Sequence, residues 1–242
     1  MKRYEDRYYR NKVKARGLIS FNITLKETDL FVSAERDMTD ETRDLVMGYR
    51  FQLENYILLH PEFLTTLTSY PLDPYAPPIV QEMIKATGDI GVGPMASVAG
   101  AIAHLVGMDI LRSSSQVIIE NGGDIFMRMN RDATVSVFAG ESPLSDRIGI
   151  RIPSDMMPIG ICSSSGKVGH SLSMGVSDVI TLLSPSAIRA DAAATALGNR
   201  IRAWKDLERL AEWAGDMDGI VGGLAILGDR MATWGEIEIV GL

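Results

Sequence analysis

Between Ala190 and Asn199 the chain reads Ala-Asp-Ala-Ala-Ala-Thr-Ala-Leu-Gly-Asn, so its polar side chains (Asp191, Thr195 and Asn199) recur at every fourth position. Alanine is the strongest helix former, and steps of four advance only about 40° around a helix. All three residues are therefore predicted to share one face. A carboxylate and a hydroxyl one turn apart at a helix start suit a hard cation such as Mg²⁺, with backbone carbonyls completing the shell. The same pair equally suits an N-terminal Asp favoured by the helix dipole and a Thr bonded back to a carbonyl. The surrounding alanines leave room for a ligand where larger side chains would fill a core.

Two more segments have chemically useful composition. In Asn121-Gly122-Gly123-Asp124, paired glycines reach dihedrals closed to other residues and expose backbone N–H groups to a ligand. Asn and Asp can bracket such a turn with their own side chains, and a plain hairpin turn has the same pattern. The run Cys162-Ser163-Ser164-Ser165-Gly166-Lys167-Val168-Gly169-His170-Ser171 is read as a polar loop between strands. Its hydroxyls, glycines and single cation suit phosphate oxygens, although the spacing is not that of a Walker loop. As an ordinary loop, its serines would instead satisfy backbone groups. His170 is the one histidine in polar, glycine-rich surroundings and is the candidate acid/base. Cys162 at a strand end suits a small buried thiol.

The elements that must position these residues are legible in outline. Alternating Ile19, Phe21, Ile23 and Leu25 predict a half-buried strand over Leu18–Leu25. Leu30–Ala34 is its hairpin partner across Glu27-Thr28-Asp29. Asp40 and Thr42 open a helix carrying Leu45, Val46, Tyr49, Leu53, Tyr56 and Ile57 at helical spacing. A short helix begins at Pro61, another spans Pro78–Ala86, and a small-residue helix runs from Pro94 to near Gly107. Strands follow at Val117–Ile119, Ile125–Met129, Thr134–Ala139, Ile148–Ile152 and Val179–Leu183. Helices then cover Ser186–Arg202 and Asp206–Ala214, and strands Ile220–Leu227 and Trp234–Val240 close the chain. Strand runs with helices clustered between them predict an α+β fold with antiparallel sheets and packed helices, one domain over 1–242.

Composition narrows the function classes. Lys plus Arg is 24 against 31 Asp plus Glu, a net charge of -7, which excludes a global polycation for nucleic acid. Residues 1–17 are locally basic and read as a solvated arm or first strand. The single cysteine excludes a disulfide framework. No apolar stretch approaches the roughly 20 residues of a membrane span, and the charged N-terminus lacks a signal-peptide core. A cytoplasmic protein is expected, with no nucleic-acid or membrane partner and with homodimerisation open.

Taken in order, the three segments resemble the ApbE superfamily, whose better-known members are Mg²⁺-dependent FAD:protein FMN transferases. Asn121-Gly-Gly-Asp-Ile resembles their Gly-Gly-Asp motif. Cys162-Ser-Ser-Ser-Gly stands at their Ala-Thr-Ser-Gly segment, and Ala190-Asp-Ala-Ala-Ala-Thr-Ala-Leu is similar to their metal-binding helix. The resemblance spans about residues 93–200. It implies the ApbE-like branch of the T-fold and Asp191 and Thr195 as Mg²⁺ ligands. It further implies FAD or another nucleotide held by Asn121, Gly122, Gly123, Asp124, Ser163, Ser164, Ser165 and Gly166, with His170 and Asp191 as catalytic candidates. The sequence departs from the transferases in keeping only His170 of their His-Ile-x-Asp-Pro-x-Thr-Gly loop. It also has Gly93-Pro-Met-Ala-Ser-Val-Ala-Gly where they have Lys-Gly-x-Ala-x-Asp. A fuller match, including Gly169-His170-Ser171, is to a small ApbE-like family of anaerobic bacteria and archaea linked to sulfide assimilation and homocysteine formation.

Three expectations follow. One is a metal-assisted flavin or nucleotide phosphate site, distinct from a standard flavin transferase, acting as a transferase or pyrophosphatase. Another is a sulfur-trafficking accessory in which Cys162 carries a persulfide as a low-pKa thiolate near Lys167 or a helix end. The third is a non-catalytic binding protein on the same fold.

Overall fold

The computed structural model describes residue 15, residues 17–166 and residues 175–242. In chain order the elements are β1 (Ile19–Leu25), β2 (Thr28–Ala34), α1 (Thr39–Leu59), α2 (Glu62–Thr65), α3 (Pro78–Gly88) and α4 (Val98–Ile110). They continue as β3 (Val117–Asn121), β4 (Asp124–Arg128), β5 (Ala133–Ser136), β6 (Ile148–Ile152), β7 (Ile159–Ser164) and β8 (Val179–Ser184). The chain ends with α5 (Ala187–Arg200), α6 (Leu210–Gly215), β9 (Gly222–Leu227), β10 (Arg230–Gly235) and β11 (Glu238–Gly241).

Eight strands form one antiparallel sheet in the order β1-β2-β3-β4-β7-β8-β9-β10, and β11-β6-β5 form a second. The α+β expectation holds. Strand alternation sorts the side chains of the large sheet between two cores. Val117, Ile119, Phe126 and Cys162 face helices α1, α3 and α4. Ile180, Leu182 and Ala225 face α5 and α6. On the other side Met127, Ile159, Ile161, Val179, Leu183, Leu224 and Ile226 pack against Ile150 and Ile152 of the small sheet. The molecule is thus layered as helices, large sheet, small sheet, each layer covering an apolar face of the next. Among the described residues no helix is long and apolar enough to cross a membrane.

Several sequence expectations need correction. The first hairpin turns at Lys26-Glu27, with Leu25 paired to Thr28, so Thr28 and Asp29 belong to β2. The expected strand Thr134–Ala139 stops at Ser136. Pro94–Ser97 is a 3₁₀ turn leading into α4, and Trp204–Arg209 is another before α6. The expected strand Trp234–Val240 is two strands, because β10 completes the large sheet and β11 pairs with β6. The basic segment 1–17 lies almost wholly outside the described residues.

Helix α5 is the central positioning device. Its Ser186 N-cap side chain accepts from the Arg189 N–H at 3.4 Å, satisfying one orphan donor of the first turn. Arg189 forks onto Asp89 at the end of α3 and also donates to the Asp218 carbonyl. Gly160 of β7 lets the helix lie directly on the sheet, since a Cβ there would come 2.3 Å from the Ala187 Cα. His104 of α4 is a core histidine: burial lowers its pKa, and its Nδ1 accepts from the Ala187 N–H at 3.4 Å.

Candidate functional site

The Asn121–Asp124 segment is a two-residue hairpin between β3 and β4, with Asn121 paired to Asp124. Gly122 and Gly123 have φ of 68° and 109°, values that a turn closing such a hairpin demands and glycine supplies without strain. The turn is anchored at both ends. Gly123 N–H donates to Glu120 Oε1 at 3.0 Å, and Asn121 Nδ2 donates to the Ala99 carbonyl at 3.1 Å. The hairpin therefore sits at the N-terminal end of α4.

Cys162 stands in a strand end as expected, and Ser163 and Ser164 continue that strand instead of opening a loop. They form the end of β7 and pair with Leu182, Thr181 and Ile180. Alternation then separates the serines. Ser163 Oγ lies 2.9 Å from Thr181 Oγ1, on the side of the small sheet. Ser164 lies on the helix side, with its Oγ 3.5 Å from where a Cβ of Gly198 would stand. Ser165 and Gly166 are half-buried, and Gly166 N–H donates to Ser177 O at 3.0 Å. A Cβ on Gly166 would fall 2.2 Å from Gly175 O, and one on Gly175 would fall 1.9 Å from Gly198 O. The two stems of the segment are thereby pressed against each other, and the second against the C-terminal end of α5. His170 lies outside the described residues.

The helix prediction for 191, 195 and 199 is met: all three lie in α5, with Asp191 buried and Thr195 and Asn199 half-buried. Asp191 Oδ2 accepts from the Gly100 N–H at 2.9 Å. The carboxylate of one helix thus caps the first turn of another, where free N–H groups and the helix dipole favour an anion. Asp124, across the end of β7, accepts from the Ser163 N–H at 3.2 Å. Hairpin, β7 terminus and α5 therefore meet at two buried carboxylates, Asp124 and Asp191.

Their electrostatics are costly. Burial pushes the Asp191 carboxyl up to about 7, with the Gly100 and Ala99 N–H groups only partly offsetting it. Burial also raises Asp124 well above the usual carboxylate range, and the Asp191 charge raises it further. Two like charges in a low-dielectric site cannot both ionise cheaply unless a cation joins them. Among the described residues no three or more His, Cys, Asp or Glu side chains form a group that could hold a metal ion. The sequence brings both segments to one site but does not single out the Asp124–Asp191 pair, and it does not show Gly100 as the partner of Asp191. The stripe Ala96-Ser97-Ala99-Gly100-Ala103 was the available signal: Gly100 is small because Asp191 Cβ would be 2.8 Å from its Cβ.

Cys162 does not have the properties of a sulfur carrier. Its thiol is fully buried, donates to the Ala187 carbonyl at 3.2 Å, and is pushed up by burial and by the neighbouring Asp124 and Asp191 charges. A nucleophilic thiolate needs the opposite surroundings, electropositive and open to solvent. Cys162 is therefore expected to resist a thiol reagent such as Ellman's reagent in the native protein and to react fully in denaturant. Fast labelling of the folded chain would reverse this assignment.

Comparison with known proteins gives the following. The family model described as AbpE bacteria matches residues 10–219. A UPF0280 protein of Methanococcus aeolicus is 36% identical over 226 residues, covering 91% of each chain. A UPF0280 protein of Methanosarcina acetivorans is 35% identical over 229 residues, 93% of this chain and 90% of the relative. Among solved structures, the apo flavinyl transferase ApbE of Pseudomonas stutzeri superposes with a TM-score of 0.60 at 14% identity, over 90% of this chain and 94% of that one. The ApbE protein of Thermotoga maritima gives 0.55 at 13%, over 90% and 97%. At these identities the likeness shows an ApbE-like fold.

Proposed function

We propose, for a chain that belongs to the UPF0280 family with the model description AbpE bacteria, a metal-assisted site for the phosphates of a flavin or related nucleotide. The observation that carries the proposal is the buried Asp124–Asp191 pair at the meeting point of hairpin, β7 end and α5. Burying two carboxylates together is expensive, and a hard divalent cation with oxygen ligands is the group that this donor set fits. Asp191 and Thr195 on α5 would hold Mg²⁺, with Asp124 beside them. Bound there, the ion would neutralise phosphate charge and polarise a phosphoryl oxygen.

The chain's own groups supply the rest. Gly122 and Gly123 place side-chain-free backbone next to the carboxylates, which lets a phosphate approach closely. Ser164 would offer its hydroxyl on the helix side of β7, beside Gly198 of α5. The buried surroundings exclude water and strengthen each polar contact. The solved ApbE-like protein of Pseudomonas stutzeri is a flavinyl transferase, which makes FAD the first ligand to try.

Isothermal titration of the full chain with FAD, with Mg²⁺ and then with EDTA, tests the proposal. The expected result is saturable binding that weakens at least about tenfold when the metal is removed, a loss of about 1.4 kcal/mol. Absence of binding by FAD, FMN, ADP and ATP, with or without Mg²⁺, would overturn it.

A further inference from the structure

Helix α4 reads Val-Ala-Gly-Ala-Ile-Ala-His-Leu-Val-Gly-Met-Asp-Ile, and only His104 and Asp109 in it carry polar side chains. Asp109 serves α1, accepting from Tyr49 Oη at 2.6 Å. His104 turns instead to α5 and β4, and the site described above makes no use of it. It stands one turn after Gly100, so the two share a face of α4. On α5, Ala187 and Asp191 are spaced in the same way. The two pairs interlock where the helices cross.

Each helix supplies the acceptor for the other's first turn. The Gly100 N–H of α4 donates to Asp191 Oδ2 at 2.9 Å, and the Ala187 N–H of α5 donates to His104 Nδ1 at 3.4 Å. Both are N–H groups that a helix leaves without an internal partner. The Ser186 side chain is already engaged with the Arg189 N–H, which leaves the buried Ala187 N–H to the imidazole. A histidine accepts at Nδ1 only in its neutral form with the proton on Nε2. Burial favours that form, with Glu82 of α3 opposing. The ring is held edge-on by Phe126, with centroids 4.9 Å apart. Phe126 in turn fills the space over Gly107, where a Cβ would come 2.1 Å from its Cδ1. The rest of Ala187 is gripped as closely. Its carbonyl accepts from the Cys162 thiol at 3.2 Å, and a Cβ on Gly160 would lie 2.3 Å from its Cα.

We propose that His104 is a positioning residue for the Asp191 carboxylate. By capping Ala187 it fixes the start of α5, and so holds Asp191, one turn on, against the Gly100 N–H and beside Asp124. The Cys162 thiol is the second half of the same clamp, which gives two buried groups outside the metal and phosphate chemistry a common task. The consequence for ligand binding rests on the reading of Asp191 as part of the metal site; the clamp itself does not. Leucine at position 104 keeps an apolar side chain of similar bulk and leaves the buried Ala187 donor unpaired, which is costly. Asparagine keeps an acceptor, because its Oδ1, like Nδ1, is bonded to Cγ.

Amide hydrogen exchange of the metal-free full chain, followed by NMR, tests the clamp. In His104→Leu the Gly100 amide is expected to exchange at least about tenfold faster, while Ile119 of β3 and Leu182 of β8 keep the rates of the parent. His104→Asn should stay within about threefold of the parent at all three positions. Cys162→Ala removes the other contact to Ala187 and should speed the Gly100 amide by about threefold or more, a second reading if the leucine variant does not fold. Titration with FAD and Mg²⁺ should show affinity at least about tenfold weaker in His104→Leu and recovered in His104→Asn. Unchanged Gly100 exchange in the folded leucine variant, or in Cys162→Ala where leucine does not fold, would overturn the proposal. So would faster exchange shared equally by Ile119 and Leu182, or an asparagine variant as damaged as the leucine one. A parent that binds neither Mg²⁺ nor FAD would remove the reading of the site instead, and the exchange rates would still decide the clamp.

Discussion

Asp191→Asn is expected to abolish Mg²⁺-supported FAD binding while making the metal-free protein more stable at about pH 8. The two effects come from one property. Unfolded, an aspartate titrates near 3.8; folded, Asp191 titrates at about 7 because burial outweighs the N–H groups of Gly100 and Ala99. A group whose pKa rises on folding holds its proton more tightly in the native state. Its contribution is complete below about pH 4 and disappears as pH rises through about 7, a difference on the order of 4 kcal/mol. Metal-free protein should therefore melt at a lower temperature at pH 8 than at pH 5, and added Mg²⁺ should restore the loss by binding the folded form alone. Asparagine cannot ionise, keeps an oxygen for the Gly100 N–H, and relieves Asp124 of a neighbouring charge. The variant's melting temperature should vary less between pH 5 and 8 and should ignore Mg²⁺, and its FAD affinity should fall by at least about a hundredfold. Melting curves at the two pH values, with and without Mg²⁺, check the stability half, and titration calorimetry checks the binding half. A parent whose stability rises between pH 5 and pH 8 would remove the electrostatic premise.

How much of this could be read from the sequence depends on whether a feature is local. Period-two alternation located β1, and Ile23 on its inner face is indeed buried. Alanine content and the spacing of 191, 195 and 199 gave α5 and its face, because helix geometry alone decides which residues share a side. Features that depend on what lies across the sheet were not legible. Ser163 and Ser164 look like loop residues until Thr181 appears opposite one of them and Gly198 near the other. The strand after Trp234 divides at Gly235, where φ is 70° and a Cβ would lie 2.3 Å from Val221 O. There the chain leaves one sheet for the other, which hydrophobic alternation does not register. The resemblance already implies that the three segments share one site, but the pairing of Asp124 with Asp191 within it is of this second kind. It follows from β4, β7 and α5 being neighbours, not from any spacing along the chain.

Gly100→Ala is the smallest substitution expected to damage both the packing and the site. A Cβ at position 100 would lie 2.4 Å from the Ala187 carbonyl oxygen and 2.8 Å from Asp191 Cβ. Both are held by α5, which is itself pressed onto the sheet at Gly160, so neither helix can yield without disturbing a second contact. Overpacking of this kind costs about 1–3 kcal/mol. Moving α4 away also stretches the 2.9 Å bond from the Gly100 N–H to Asp191, and a hydrogen bond to a charged group is worth about 1.5–3 kcal/mol. The total is expected to be about 2.5–6 kcal/mol, a drop of roughly 5–24 °C in melting temperature for a chain of this length. Gly88→Ala is the control, because nothing lies within 4 Å of its Cβ position and alanine there should be neutral or stabilising by up to about 1 kcal/mol. The site readout separates packing from function. Loss of the N–H contact should leave Asp191 still harder to ionise, so the pH at which metal-free protein loses stability should move upward. Equal melting temperatures for Gly100→Ala and Gly88→Ala would mean that α4 and α5 are not in the close contact on which the carboxylate pair depends.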